Sequence, residues 1–416
     1  MRIGFFGGMA NNMYVFAKVF HKLGEEIIFI RDRFDNFTIS QPIWEDNEIK
    51  LSNKDLFQIK NWGKLDWDNY ELKEKWVPRI KLLDLEVNKS RKHSKHIKHR
   101  SLIPSNFKLD AVIDALNSND VNLICGMVPS LIAFNSIKPY FIMPHGSDVR
   151  LALGYTRKTQ RGIFNRIFTS KLEKALKESY LKSKSIFTHG PSRLLSPLSR
   201  KDEDIYIYKY LKFNNLGIPN RKFYFKYESK KSELRKLLNI NVNSKYVILV
   251  PSRIDFKVKG QDKLVNIIKG KRNDNCHYIF FGWGENYESI KKSLNKTNVS
   301  VLDKIVSKKL LYKLIYISDL VIDQFNLGHY GTITQEAMML GKPVMTYIFK
   351  NDYIQMAQDP PPLLNCKSEK DIKKFLDEIS KNNIDLKKIG KECYKWIEKR
   401  HNDKLVLKKF KNYCEI

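Results

Sequence analysis

The chain is 416 residues long, 42% apolar and 12% aromatic, which is too long for one ordinary core and suits two domains of about 200 residues each. That composition excludes a disordered chain, and no window reaches the roughly 18 uninterrupted apolar residues that a membrane-crossing helix needs. Charge is the unusual bulk property: 75 Lys and Arg against 45 Asp and Glu leave +30, which is either a compositional bias of a Lys-rich chain or a surface drawn to polyanions such as nucleic acid, anionic lipid head groups or phosphorylated substrates.

In chain order, Arg2 to Phe6 reads as a strand running into Gly7-Gly8. Residues 11–23 follow with the helical spacing of Met13, Phe16, Ala17 and Phe20, and Glu26 to Ile30 is the next strand. This is the opening of a Rossmann-like half. The Gly7-Gly8 pair lacks the third glycine of a dinucleotide fingerprint, but a glycine loop there lets a ligand approach the backbone closely. A chain that opens on a strand rather than a leader is expected in the cytoplasm. Its five cysteines are scattered without ligand spacing, so neither a disulfide framework nor a zinc site is expected.

Residues 31–108 are polar and irregular, and their tryptophans Trp44, Trp62, Trp67 and Trp76 read as core plugs. Lys89 to Arg100 packs basic residues almost without interruption and without interleaved aromatics. That is the pattern of a phosphate or lipid-surface patch rather than of a platform for single-stranded nucleic acid. Order returns with a helix at Ala111 to Leu116 and a strand at Leu123 to Gly126. A further strand, Tyr140 to Met143, ends in Pro144-His145-Gly146-Ser147-Asp148-Val149-Arg150. Polar residues at the carboxyl end of a parallel strand sit where open α/β sheets place ligands, so His145 is read as a site residue. A basic helix from Phe164 to Lys184 and a strand from Ser185 to Gly190 complete the first domain, expected at 1–205, and a charged connector at 206–230 follows.

The second domain, expected at 231–395, opens with a short helix at Ser232 to Leu238 and the apolar strand Tyr246 to Val250. Polar residues again gather beyond that strand, and Arg253 and Lys259 are the evident anion binders. Tyr278 to Phe281 is a strand running into Gly282-Trp283-Gly284, and Leu310 to Ile317 is a helix. From Val321 to Thr346 a buried strand breaks at Gly328 and Gly331, becomes a helix ending at Gly341-Lys342-Pro343, and returns as a strand from Val344 to Tyr347. A strand opening through glycines onto a helix start aims backbone N–H groups and the positive end of a dipole at one point, which wants an anion. Glu336 is a lone charge in an apolar helical run, either solvated or working. With Arg253 and Lys259 offering charge for a diphosphate, Glu336 is assigned to vicinal hydroxyls such as those of a ribose. That set describes a nucleoside diphosphate and asks for no metal or other cofactor. A C-terminal helix at 396–416 is expected to pack back toward the first domain, and the strand–helix alternation makes the fold α/β, two doubly wound domains with a cleft between them.

Residues 251–265 (PSRIDFKVKGQDKLV), 282–285 (GWGE) and 328–344 (GHYGTITQEAMMLGKPV), with 144–150 (PHGSDVR) upstream, resemble the motifs of glycosyltransferase family 4, retaining enzymes of the GT-B fold. The resemblance runs in order over nearly the whole chain and is most specific in the second half. It implies an N-terminal acceptor-binding domain and a C-terminal nucleotide-sugar-binding domain, two Rossmann-like domains facing across a cleft. It also implies transfer of a sugar from a nucleoside-diphosphate sugar with retention of configuration. In that family the residues matching Arg253 and Lys259 hold the donor diphosphate, the one matching Glu336 holds the ribose, and the histidine matching His145 lies against the donor sugar. Gly7 and Gly8 then face the diphosphate and acceptor, and Gly282, His329, Tyr330, Gly331 and Thr332 fall in the donor-binding motifs. The chain departs from the family at Gly328, where a glutamate that contacts the donor sugar is usual.

The function expected is therefore synthesis of a cell-surface polysaccharide or glycolipid, with a glycan or polyprenyl-type lipid-linked acceptor. The basic first domain places that work at an anionic inner membrane face. Nucleic acid is the disfavoured partner, since +30 alone suggests it and neither a helix-turn-helix nor a base-stacking module is present. The alternatives are a nucleic-acid-binding or nucleic-acid-glycosylating protein, suggested by the +30 charge, and, motivated by Gly328, a GT-B-like protein without activity.

Overall fold

Strands that are apolar on both faces must be covered on both sides, and the strands at residues 2–6, 26–31, 121–124 and 140–142 are buried along nearly their whole length. A computed structural model describes residues 1–8, 12–31, 81–84, 97–103, 109–144, 163–188, 213–215, 240, 244–270, 275–294, 298–302, 306, 308–355 and 359–415. The expected site residue His145, the four tryptophans Trp44, Trp62, Trp67 and Trp76, most of the basic run Lys89 to Arg100 and the helix expected at Ser232 to Leu238 lie outside them. The described residues form two compact units.

The first unit contains β1 (Arg2–Phe6), α1 (Asn12–Lys22), β2 (Glu26–Arg31), β3 (Lys81–Asp84), α2 (Leu109–Asn117), β4 (Val121–Ile124), α3 (Met127–Ala133), β5 (Tyr140–Ile142), α4 (Ile163–Lys182), β6 (Ser185–Thr188) and β7 (Phe213–Asn215). The strands form one parallel sheet in the order β3-β2-β1-β4-β5-β6-β7. Successive side chains of β2 go to opposite faces: Ile28 and Ile30 join α2, α3 and α4, whereas Ile27 and Phe29 join α1. The order reverses between β1 and β4, and Gly7 follows β1 there. Its φ of 104° and the closeness of the Cys125 carbonyl leave no room for a Cβ, so only glycine fits this turn.

The second unit contains β8 (Tyr246–Val250), α5 (Phe256–Lys259), α6 (Asp262–Gly270), β9 (Cys276–Phe281), α7 (Tyr287–Ser293), β10 (Val299–Leu302), α8 (Lys308–Ile317), β11 (Leu320–Ile322), α9 (Thr332–Met339), β12 (Val344–Thr346), α10 (Lys350–Gln355), β13 (Leu364–Asn365), α11 (Glu369–Ser380) and α12 (Leu386–His401). Its parallel sheet runs β10-β9-β8-β11-β12-β13 and reverses between β8 and β11. Open α/β sheets bind ligands beyond the carboxyl ends of the strands at such a reversal.

Several elements differ from expectation. The stretch 206–230, expected as connector, contributes β7, an edge strand too short and polar to carry a periodic signal. α3 was hidden by Pro129, which sits in the first helical turn, where a missing N–H costs nothing. The C-terminal segment is two helices rather than one, broken at the extended Asn402. The second, α13 (Asp403–Cys414), belongs to the first unit, where Val406, Leu407 and Phe410 are buried against α1 and the sheet. The Phe410 ring lies 5.4 Å from Phe20, and Lys411 pairs at 2.6 Å with Glu25.

Candidate anion-binding site of the second unit

The turn after β8 is built around Asp255. Its carboxylate accepts from Val258 N at 3.0 Å and so caps α5, a single turn that ends in Gly260 at a φ of 73°. The same carboxylate receives the Arg253 guanidinium at 2.9 Å, with Arg253 39% exposed. Gln261, fully buried, ties the loop by donating to the Arg253 carbonyl at 2.7 Å and accepting from Asp255 N at 3.2 Å. Lys259 is thereby presented at the end of α5, and its main-chain carbonyl accepts from Phe325 N at 2.7 Å, joining the turn after β8 to the turn after β11.

A residue not foreseen from the sequence stands at the centre. Asp323, directly after β11, is fully buried, and each of its carboxylate oxygens has two donors. One accepts from Ser252 Oγ at 2.6 Å and Lys259 Nζ at 3.2 Å; the other from Gly331 N at 3.0 Å and Thr334 Oγ1 at 2.9 Å. Burial by itself pushes such a carboxyl upward, but the Lys259 ammonium, the two hydroxyls and the Gly331 N–H outweigh it and hold the group below its ordinary value. The helix start expected to face an external anion therefore already has a carboxylate of its own chain on the N–H of its N-cap, Gly331. The available signal was position, because Asp323-Gln324 directly follows an apolar strand at its carboxyl end.

Gln324, also fully buried, shapes the loop that follows. Its amide donates to the carbonyls of His329 at 2.5 Å and Tyr347 at 3.0 Å and accepts from the N–H groups of Asn326 and Leu327 at 3.0 and 2.7 Å. This wrapping explains the departure at Gly328, which is buried with a φ of 77° and accepts from Phe349 N at 2.8 Å. A side chain there has to enter the left-handed region, at a cost of roughly 1–2 kcal/mol.

The other expected residues separate into two groups. Lys259 and Gly331 converge on Asp323, Thr332 is the first residue of α9, and Arg253 stands on the loop that carries Lys259. The rest point elsewhere. Glu336 is neither solvated nor open to a ligand: it is 1% exposed and paired at 2.5 Å with Lys308, itself 4% exposed, with Tyr312 Oη 3.4 Å away. In this structure Glu336, expected as a ribose ligand, is engaged in a buried ion pair between α9 and α8. Tyr330 turns toward α12, its hydroxyl 3.1 Å from His401 Nε2 and its ring edge-on to Trp396. Gly282 donates its N–H to Leu302 at 2.6 Å, and it is Gly284, with a φ of 114° and the Ile254 backbone against its Cα, whose place no other residue can take. Gly7 and Gly8 lie at the reversal of the other sheet.

Residues 230–396 match the model of the family described as glycosyl transferases group 1, so the second half of the chain is similar to that family. No curated protein sequence matches the chain. Among solved structures, the sucrose-phosphate synthase of Thermosynechococcus elongatus superposes with a TM-score of 0.64 at 12% identity, over 100% of this chain and 98% of that one. HepE of Anabaena in complex with UDP superposes with a TM-score of 0.63 at 13% identity over the whole of both chains. HepE with UDP-glucose gives 0.62 at 13% identity, over 100% and 99%. At that identity the likeness is one of fold, and the fold is GT-B. Within the matched stretch, the Asp323 cluster occupies the sheet reversal between β8 and β11.

Proposed function

We propose that the protein is a retaining glycosyltransferase of the family 4 type, moving a sugar from a nucleoside-diphosphate sugar to a glycan or lipid-linked acceptor of a cell-surface polysaccharide or glycolipid. The observation that carries this reading is that Lys259 and the start of α9 meet on one carboxylate at the sheet reversal of the stretch that matches the group 1 family, with Arg253 on the adjoining loop. The donor diphosphate lies against those three groups. The acceptor hydroxyl attacks the anomeric carbon on the face from which the diphosphate departs, the bond to the diphosphate oxygen breaks, and that oxygen takes the acceptor proton. Arg253, Lys259 and the α9 dipole act on the charge that grows on the leaving group, where binding lowers the barrier. No carboxylate nucleophile and no metal enter this scheme. The HepE structures hold UDP and UDP-glucose, which makes UDP-sugars the first donors to try.

The acceptor side of the proposal is a peripheral site at the cytoplasmic, anionic face of a membrane. No described helix is long and apolar enough to cross a bilayer. What supports surface binding is α4, where Ile167, Phe168 and Leu181 are 50%, 52% and 45% exposed among the exposed Lys171, Lys174 and Lys177. Apolar side chains beside lysines suit an anionic lipid interface. Hydrolysis and transfer are measured over a panel of nucleotide sugars, with the product anomer read by NMR. Turnover of one donor with retained configuration is expected; no turnover of any donor means an inactive GT-B-like protein, and an inverted product removes the retaining mechanism. Sedimentation with anionic vesicles that falls with salt is expected, and equal binding to neutral vesicles removes the membrane clause.

A further inference from the structure

We propose that Asp323 is a positioning residue for the donor diphosphate, setting the Lys259 ammonium and the start of α9 in one geometry from beneath the site. The inference rests on the donor reading above and adds to it a residue whose charge has the wrong sign for an anion site. Asp323 is 0% exposed whereas the Lys259 side chain is 20% exposed, so the lysine is the outer member of the pair. An ammonium has three N–H donors and Asp323 engages Lys259 through one contact at 3.2 Å. The other carboxylate oxygen holds Gly331 N and Thr334 Oγ1, at the N-cap and in the first turn of α9. Two elements far apart in sequence, α5 and α9, are thus held by one buried anion with its four donors in place. Without it the Lys259 stem, a flexible four-carbon chain, has to be ordered by the ligand.

The alternative is that Asp323 only opposes the ligand. A negative charge near a diphosphate repels it, so if Coulomb attraction alone set affinity, Asp323→Asn would bind the diphosphate more tightly. If Asp323 positions the donors, the same nearly isosteric change binds it more weakly, and the sign of the change separates the two.

The test titrates UDP, GDP and ADP calorimetrically into the full-length protein and its variants, with urea unfolding measured in parallel. Wild type binds at least one of the three, and Asp323→Asn raises that Kd about tenfold or more while remaining folded. The loss is smaller in a Lys259→Ala background, because part of it runs through the lysine. A Kd unchanged or lowered by Asp323→Asn overturns the positioning role, as do equal losses with and without Lys259. Wild type that binds none of the three overturns the donor reading, and this inference falls with it. If Asp323→Asn does not fold, Ser252→Ala and Thr334→Val each remove one hydroxyl from the carboxylate and keep its charge. A severalfold rise in Kd for both supports the role, and an unchanged Kd for both overturns it.

Discussion

Replacing Glu336 by Gln separates the two tasks open to that residue. The substitution keeps its shape and removes the Glu336 charge from the Lys308 ammonium, which is 4% exposed. At 2.5 Å the pair interacts by about 7 kcal/mol at an effective dielectric constant of about 20. Desolvating the two ions offsets much of that, and removing one partner of such a buried pair costs about 3–5 kcal/mol in measured systems. For a domain in the 150–250-residue range, each kcal/mol moves Tm by about 2–4 °C, so a fall of roughly 6–20 °C is expected. Urea unfolding of Glu336→Gln and Lys308→Met gives the free energies, and the double variant, which removes both charges, recovers most of the loss. Donor KM is measured on whatever remains folded. A Glu336→Gln protein within about 1 kcal/mol of wild type but with a strongly raised donor KM refutes the structural reading and restores the ribose contact.

Arg253→Ala breaks a part-exposed pair and is expected to change stability by less than about 1 kcal/mol while donor turnover falls at least a hundredfold; unchanged turnover excludes Arg253 from the diphosphate. Gly328→Ala, with its φ of 77°, is expected to lose about 1–2 kcal/mol in urea unfolding, and a neutral result removes the account of the missing glutamate. Asp323 is held below its ordinary pKa against the effect of burial, chiefly by Lys259 and the two hydroxyls. Its charge therefore contributes stability that is complete above the unfolded aspartate value of about 3.9 and is lost as pH falls through the lower folded value. The stability advantage of wild type over Asp323→Asn should thus hold from pH 7 to about pH 5 and shrink in more acid solution; an advantage that grows on acidification contradicts the sign. Burial pushes the thiols of Cys276 to about 11 and of Cys393 and Cys414 to about 12, and all five cysteines are free and buried. Ellman's reagent at pH 8 is expected to label the unfolded protein fully and the native protein only slowly.

Much of the site was legible because its pieces are local. Polar residues directly after an apolar strand mark a carboxyl end, which brought out Arg253, Lys259 and the glycines before α9 without any knowledge of the partner strand. What is not legible is a side chain's partner when it is remote in sequence. Nothing near Glu336 in the chain points to its ion-pair partner, Lys308, which lies at the start of α8, before β11. Nor does the loop that carries Tyr330 show that its hydroxyl and ring meet α12.

Taken alone, the sequence determined the α/β class, the alternation in each half and the glycines that open loops at strand ends, because hydrophobic period and backbone freedom are properties of a few adjacent residues. Tertiary structure alone decided which side chains share an environment. Sheet order brings β8 beside β11, so that Ser252, Lys259, Gly331 and Thr334 all reach Asp323, and it returns α13 to the first unit beyond Asn402. The energy of a buried charge depends on the groups that surround it, and those groups are assembled by strand register from positions up to about eighty residues apart.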